Sequence, residues 1–313
     1  MRSYDIIIIE FFLSTVDGDW PRVRPKQLSF EAMSNIVMKG YIMENIKELV
    51  KNRRSVRTYD GRVITAEDKA KLCAFMENIK NPYGINVRFK FMNADEHGLK
   101  CPVVVGTDLY IGGKIKRVPS AFEAFGYSFE MLVLYAQSLG IGTVWLGGTM
   151  NRLAYEAAME LSEDEMMPCA TPLGYTAKKM SLRESMMRKA IKADERFPFE
   201  ALFFDGSFDV PLTEKTAGEL ACPLEMVRWA PSAVNKQPWR AVVQDNAVHF
   251  YLKRSSGFGG HDKLDMQKVD IGIALCHFDL TVQELGMKPI FVEEDPGIPH
   301  DESTVYIASY RME

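Results

Sequence analysis

The chain has 313 residues, of which 47% are hydrophobic and 26% charged, with a formal net charge of −4; this composition indicates a folded globular protein of one large or two ordinary domains, and the mildly acidic charge argues against a duplex-DNA binder. The sequence contains no apolar run of about 18 residues, so it predicts no membrane span. Its five cysteines are scattered without a CxxC pair, and its histidines do not pair with cysteines or carboxylates at metal-ligand spacing; this favours a reducing, cytoplasmic location and argues against a disulfide framework or a zinc site.

The first half of the chain alternates predicted helices and strands. Apolar spacing predicts an amphipathic helix over residues 43–53, and a weak capping box at Thr65 starts a helix that reaches about residue 80. Alternating Val87, Phe89 and Phe91 predict a strand. The further predictions, in chain order, are a short buried strand at 102–106, a long helix over 122–140, an extended segment at 143–146, a helix near 152–161, a strand near 169–173 and a basic segment at 178–192.

The second half begins the alternation again from Phe203. Its pattern predicts a helix near 216–229, a polar loop at 231–238, and strands at 239–244 and 248–253 that flank the hairpin turn Asp245-Asn246-Ala247. A long helix over 269–285 and a final strand at 305–309 follow.

The two halves match each other at a near-constant offset. At an offset of 146 residues, Gly126 aligns with Gly272 and Gly140 aligns with Gly286. Shared helical periodicity would explain matching leucines, but it does not explain matching glycines, prolines and asparagines. We therefore predict an α+β fold of two similar halves, residues 43–195 and 196–313, which pack as a pseudo-dimer within one chain in the isologous geometry of homodimers.

The aligned halves differ at three polar or glycine-rich segments. The cationic run Arg53-Arg54-Ser55-Val56-Arg57 of the first half aligns with residues 198–202, which carry no cation. The polar loop Pro231-Ser232-Ala233-Val234-Asn235 of the second half aligns with residues 82–86, and residues 140–145 align with 286–291, which lack the second glycine. Because each half keeps what the other has lost, the pattern indicates one interface site that was kept and one that decayed.

Each of the two polar segments has a functional and a structural interpretation. Three guanidinium groups and a hydroxyl within five residues suit the oxygens of a phosphate, but a solvated basic helix end would look the same. The loop at 231–239 has two prolines and uncharged polar side chains, which can hydrogen-bond the edge of a polar ring system. A turn whose Ser and Asn satisfy their own backbone is the alternative.

Together these segments resemble the nitroreductase superfamily of FMN enzymes, over residues 43–313. That family shows an R-x-S-x-R/K pattern after its first helix, a P-S-x-x-N-x-Q-P-W loop, and a G-L-G-T-x-W segment after a long central helix. This chain has R-R-S-V-R from Arg53, P-S-A-V-N-K-Q-P-W from Pro231 and G-I-G-T-V-W from Gly140. About 175 residues separate the first two motifs here, against a few tens in ordinary members. The chain is therefore similar to a double-repeat branch, with two nitroreductase-like α/β halves in one chain.

The resemblance implies one FMN per chain, at the interface of the halves. By the family's pattern, the FMN phosphate would be held by Arg53, Ser55 and Arg57, with Arg54 and Lys178 as further candidates. Lys178 has an equally open alternative, a solvated basic helix. The isoalloxazine and ribityl would be lined by Pro231, Ser232, Ala233 and Asn235, while backbone N–H groups directed at flavin N5 would come from Leu146, Gly147 and Gly148.

The resemblance also implies the chemistry. It predicts an FMN-dependent oxidoreductase in which NAD(P)H delivers a hydride and a small electron-poor acceptor, such as a nitroarene or quinone, receives it. No catalytic side chain is expected, and Tyr127, His277 and Glu284 are interpreted as structural or exposed rather than catalytic. No nucleic-acid or membrane partner is predicted. A pseudo-dimer within one chain is compatible with a monomeric protein. Two alternatives remain: a protein that stores or senses FMN without turnover, and a flavin-free interaction protein.

Residues 1–42 differ in texture from the rest of the chain. Glu10–Pro25 resembles the opening hairpin of the pyridoxamine-phosphate-oxidase-like split barrels, but some 40 residues cannot build such a barrel. We expect either an appended arm or a segment that precedes a natural start at Met43.

Overall fold

Two long buried helices cross at the centre of the fold, between two β-sheets. A computed structural model describes Met43, residues 45–255 and residues 264–312. Contacts divide the chain into units 1–42 and 43–313, and the described residues all belong to the second. The hairpin predicted within the first unit lies outside the described residues. The class is a mixed α+β fold, as predicted.

Six of the eight described helices lie where the sequence predicts a helix, α6 lies in the predicted basic segment, and α3 was not predicted. Their bounds are α1 Ile46–Asn52, α2 Ala66–Asn78, α3 Ala94–His97, α4 Ala121–Ser138, α5 Arg152–Ala158, α6 Leu182–Ala190, α7 Ala221–Trp229 and α8 Met266–Glu284. Thr65 caps α2 as predicted, because its hydroxyl accepts a hydrogen bond from the Asp68 N–H at 3.0 Å; the Asp68 carboxylate accepts from the Thr65 hydroxyl at 2.9 Å and not from the Thr65 N–H of a full capping box. Ser181 caps α6 in the same way, accepting from the Glu184 N–H at 3.2 Å.

The strands form two main sheets and a short pair. Their bounds are β1 Arg88–Asn93, β2 Leu109–Lys116, β3 Ile141–Gly142, β4 Glu165–Met166, β5 Ala170–Pro172, β6 Gly174–Tyr175, β7 Phe203–Asp205, β8 Trp239–Gln244, β9 Ala247–Lys253, β10 Pro289–Val292 and β11 Thr304–Met312. The first sheet has the order β1-β2-β4, with β5 also paired to β2, and the second has the order β10-β11-β9-β8-β7; β3 pairs with β6. In the second sheet only the β7–β8 pair is parallel.

One predicted strand is wrong and six observed strands were not predicted. Residues 102–106 form a turn, with Val105 in a single bridge to Thr58. Pro102 has no N–H to donate, and Gly106 has a φ of 84° against the Tyr59 carbonyl, so a regular ladder cannot form there. The unpredicted strands are β2, β7 and β10, together with the two-residue strands β3, β4 and β6.

The crossing of α4 and α8 depends on two glycines. A Cβ atom on Gly126 would overlap the Val269 carbonyl oxygen, and a Cβ atom on Gly272 would overlap the Glu123 carbonyl oxygen. The two helix backbones therefore touch at this point. Phe125 and Phe278 lie beside it in a hydrophobic core that extends onto the second sheet.

Buried polar side chains tie the same two helices together. The Tyr127 hydroxyl donates to Asp279 at 2.7 Å, and His277 Nε2 lies 2.9 Å from Glu130 Oε1. Glu284 accepts from the Ile46 N–H at 2.7 Å, which joins α8 to the start of α1. Tyr127, His277 and Glu284 thus each join two elements of the fold.

Candidate functional site

The arginine segment that follows α1 is drawn into the protein by a parallel bridge. The Val56 N–H donates to the Thr143 carbonyl at 2.8 Å, and the Val105 N–H donates to the Arg57 carbonyl at 3.0 Å. These hydrogen bonds fix the backbone of the segment on both sides. The side chains of Arg53 and Arg57 are buried, with 9% and 8% exposure. Two long cations are therefore held inside the fold rather than in solvent.

Two donor nitrogens of each of these arginines have no hydrogen-bond partner among the described residues. Nε and Nη1 of both Arg53 and Arg57 are buried and have no hydrogen-bond partner within the described part of the chain. Burial lowers the pKa of each guanidinium, and Glu130, with its carboxylate oxygen 3.8 Å from Arg53 Nε, opposes that shift for Arg53. Buried charged donors cost free energy unless they are paired. An anion with several oxygens would satisfy them.

Two further arginines, not singled out from the sequence, belong to the same cluster. Arg188, on α6, lowers the pKa of both Arg53 and Arg57. The pKa of Arg196 falls to about 10, first through burial and then through repulsion by Arg53. Arg196 also lies 5.1 Å above the Trp229 ring. These residues are more than 130 positions from Arg53, so only the tertiary structure brings the cluster together.

The remaining phosphate candidates have different surroundings. Arg54 Nη1 lies 3.3 Å from Glu184 Oε1, and that carboxylate also accepts from the Thr58 hydroxyl at 2.7 Å. Arg54 is therefore engaged in the protein's own ion pair. The Ser55 side chain is half-buried, and Lys178 is exposed in the loop between Ala177 and Ser181. Both ends of that loop hydrogen-bond Thr58, which places the loop beside the arginine segment.

The glycine segment offers fewer backbone donors than the sequence suggested. The Leu146 N–H is already donated to the Ala170 carbonyl at 2.9 Å, and Leu146 is buried in the core. The prediction that Leu146 supplies a free N–H is therefore wrong. The N–H groups of Gly147 and Gly148 have no acceptor among the residues that the structure describes, and Gly148 faces open space.

The polar loop has a strained backbone. Val234 has a φ of 43° and Gln237 a φ of 48°, in the left-handed region that side chains rarely adopt and that a β-branched residue avoids. Such strain persists only where the surroundings impose it. The surroundings here are hydrogen bonds: the Ser232 hydroxyl accepts from the Gln237 N–H at 2.8 Å, and the Ala233 N–H donates to both Asp270 oxygens at 3.0 and 3.1 Å.

Asn235 anchors the loop to another segment. Its Nδ2 donates to the carbonyls of Lys192 and Glu195, at 2.8 and 3.0 Å. The Asn235 side chain therefore holds the loop to a distant segment instead of capping its own turn. Its Oδ1 stays available as an acceptor. Pro231, Ser232 and Ala233 are half-buried.

Helix α8 and the segment after α6 bring the three motifs into one region. Gly147 lies against Met266, whose sulfur is 4.0 Å from that of Cys169. One turn further along α8, Asp270 holds the polar loop. Arg188 adjoins the arginine pair, and four residues later the chain holds Asn235. The polar loop therefore lies close to the glycine segment through α8, and close to the arginine segment through the chain that follows α6.

Among the described residues, no group of three or more His, Cys, Asp or Glu residues could hold a metal ion. In the same residues no helix is both long and apolar enough to cross a bilayer.

Comparison with known proteins identifies the family of the chain. A family model described as "Putative TM nitroreductase" matches residues 45–282. The chain belongs to this nitroreductase family. A solved structure described as a "putative nitroreductase", from Thermotoga maritima, is 21% identical with a TM-score of 0.53, and the match covers 86% of this chain and 94% of that one. This likeness shows a shared fold.

Shorter nitroreductases match less of the chain. A nitroreductase family protein from Clostridium novyi is 17% identical over 44% of this chain and 87% of its own, with a TM-score of 0.38. An FMN-dependent nitroreductase from Clostridium difficile is 16% identical over 46% of this chain and 95% of its own, with a TM-score of 0.37. No curated protein sequence matches the chain.

Proposed function

We propose that this nitroreductase family member is an FMN-dependent oxidoreductase with one flavin per chain. The observation that carries the proposal is the pair of buried arginines, Arg53 and Arg57, whose four unpartnered N–H-bearing nitrogens await an anion. The FMN phosphate is an anion of the right kind, because it presents three acceptor oxygens to a fork of guanidinium donors. Arg188 and the Ser55 hydroxyl would complete this end of the site.

The rest of the flavin would lie between the glycine segment and the polar loop. The free N–H groups of Gly147 and Gly148 would face one edge of the ring, since glycine permits close backbone approach. Ser232, Ala233 and the Asn235 carbonyl oxygen would line the opposite side. Bound FMN would supply two-electron chemistry, accepting a hydride from reduced nicotinamide and reducing an electron-poor acceptor such as a nitroarene or quinone.

The site would form between two halves of one chain, residues 43–195 and 196–313. The support is the helix crossing, where the contacts are reciprocal. Gly126 meets Val269 and Gly272 meets Glu123, and each member of one contact is 146 positions from a member of the other. Reciprocal contacts of this kind are the mark of a two-fold interface. We extend the proposal to an intrachain pseudo-dimer that begins at Met43.

The equivalent position across this pseudo-axis is filled by protein. Tyr83 aligns with Ser232 and Phe291 aligns with Trp145, and the Tyr83 and Phe291 rings touch with centroids 4.8 Å apart. Leu202, which aligns with Arg57, is fully buried in the hydrophobic core. Two aromatic rings thus meet at positions that align with flavin-site residues, and Leu202 is uncharged where the aligned residue is an arginine. This supports one flavin per chain rather than two.

Reduction of the bound flavin tests the function. Purified protein is mixed anaerobically with NADH or NADPH and the flavin absorbance is followed, with dithionite as the positive control. The expected result is bleaching by a reduced nicotinamide, followed by recovery when a quinone or nitroarene is added. If the flavin is tightly bound and is reduced by dithionite but by neither NADH nor NADPH, the result would contradict the proposed donor. It would favour storage or sensing of FMN.

A further inference from the structure

The segment that links the two proposed halves is strongly cationic. Residues 178–196 carry seven lysines and arginines against three carboxylates, while the whole chain has a net charge of −4. A positive concentration of this kind in an acidic protein attracts anionic ligands to one place. Arg188 and Arg196 adjoin the buried arginine pair, but the lysines of the segment are exposed and have no part in that cluster.

A cavity of about 390 Å³ opens within this segment. Its charged lining residues are Arg188, Lys189, Lys192, Asp194 and Glu195. Arg188 pairs with Asp194, and Lys192 Nζ lies 3.1 Å from Glu195. Lys189 has no carboxylate partner in the described ranges, so the lining has an excess of one positive charge.

The cavity adjoins the proposed flavin site on two sides. The Lys192 and Glu195 carbonyls hold Asn235 of the polar loop, and Arg188 is close enough to the arginine pair to lower the pKa of each member. The flavin phosphate would satisfy Arg53 and Arg57. Lys189 and Lys192, which the flavin phosphate would not engage, then remain for a second anion that approaches the same flavin.

We propose that this cavity receives the 2′-phosphate of NADPH and makes NADPH the preferred electron donor. The inference rests on the proposed function and names its donor. NADPH and NADH share a diphosphate, but only NADPH carries a phosphate monoester, which adds about −1.5 to −2 charges at neutral pH. An unpaired Lys189 beside the loosely held, exposed Lys192 suits that extra charge.

Binding of oxidised nucleotides to the flavin-loaded protein is the direct test. Calorimetry compares NADP⁺ with NAD⁺, and 2′,5′-ADP with AMP, so that the 2′-phosphate is the only difference within each pair. We expect binding about tenfold tighter or more for the phosphorylated member, the effect of one charge-assisted contact. The double variant Lys189→Ala/Lys192→Ala should remove this ratio while flavin content stays near one per chain.

The matched control is Lys116→Ala. Lys116 is as exposed as Lys192, at 67% against 69%, and it likewise has an acidic partner, Asp164 at 3.3 Å. This variant should keep the full NADP⁺ preference. The preference seen in wild type should also weaken as ionic strength rises, because exposed charges are screened by salt.

Three outcomes would overturn the inference. Equal affinity within both nucleotide pairs, with flavin reduced equally by NADH and NADPH, would remove the preference and leave the oxidoreductase intact. Loss of flavin from the double lysine variant would show that the cavity belongs to the flavin itself. Failure of both nucleotides to bind or reduce a flavin that dithionite does reduce would instead contradict the proposed function, and the inference with it.

Discussion

Gly126 and Gly272 face each other where α4 and α8 cross, and neither position has room for a Cβ atom. Each glycine lies under a carbonyl group of the opposite helix, and the two contacts are related by the repeat offset of 146 residues. The crossing therefore brings the two helix backbones, and with them the proposed halves, into direct contact.

Replacing either crossing glycine with alanine should destabilise the protein. On an isolated helix, Gly→Ala stabilises by about 1 kcal/mol. Here the added methyl group meets a backbone carbonyl, and overpacking of a buried contact costs about 1–3 kcal/mol. The free energy of unfolding, measured by urea denaturation, should therefore fall for Gly126→Ala and for Gly272→Ala. Gly148→Ala serves as the control, because nothing lies within 4 Å of the added atom, and a loss as large there would contradict the explanation.

Arg57→Ala should weaken FMN binding by about 1.5–3 kcal/mol, the worth of a charge-assisted hydrogen bond. The loss should be confined to FMN, since riboflavin has the same ring but no phosphate. Fluorescence titration of both ligands gives the comparison. Arg62→Ala, which removes an exposed arginine paired with Asp60, should change neither affinity. An equal loss of riboflavin affinity would show that Arg57 supports the fold and not the phosphate.

The flavin-to-chain ratio should be near one, because Tyr83 and Phe291 fill the equivalent position. Flavin released by heat, measured against protein concentration, gives the ratio. A variant that starts at Met43 should keep the same ratio, since all proposed flavin ligands lie beyond that residue. A ratio near two, or an absence of flavin after FMN is added, would rule out the one-site arrangement.

Asp270 should make stability depend on pH. Burial raises the pKa of this carboxyl well above its ordinary value, so the folded state holds the proton more tightly than the unfolded state, where the pKa is about 3.9. Stability should therefore fall as pH rises from about 4 through the folded-state pKa. Asp270→Asn cannot ionise and keeps an oxygen for the Ala233 N–H. Urea denaturation between pH 4 and 8 should show the variant gaining on wild type as pH rises, and parallel curves would contradict this.

Much of the fold follows from local chemistry that the sequence displays. The hairpin turn at Asp245 and Asn246 was predicted from turn residues, and both adopt the positive φ that such a turn needs. Strand β2 was missed because Gly112 and Gly113 weaken any strand pattern. Those glycines are needed because Cβ atoms there would strike Met159 and Phe125, contacts that no local pattern encodes.

The residues of the candidate site were likewise only partly predictable from the sequence. Arg53, Arg57 and the loop from Pro231 were predicted, and the structure brings them into one region. Arg188 and Arg196 were not, because a cation on a basic helix looks alike whether it faces solvent or a buried cluster. The use of the Leu146 N–H by Ala170 was equally hidden, since a β-bridge partner distant in sequence leaves no local signal.

The buried polar contacts between α4 and α8 affect which helices can pair with each other. Tyr127 and Asp279 pair once, and the positions that the repeat would pair in return are Ile273 and Val133. The Glu130–His277 pair likewise has Cys276 and Met131 as its counterpart. If the α4 helices of two molecules docked on each other, Tyr127 would lose Asp279 and Glu130 would lose His277, and a buried polar group left without its partner costs about 1–3 kcal/mol. These contacts thus favour the pairing of α4 with α8 over the pairing of one α4 with another.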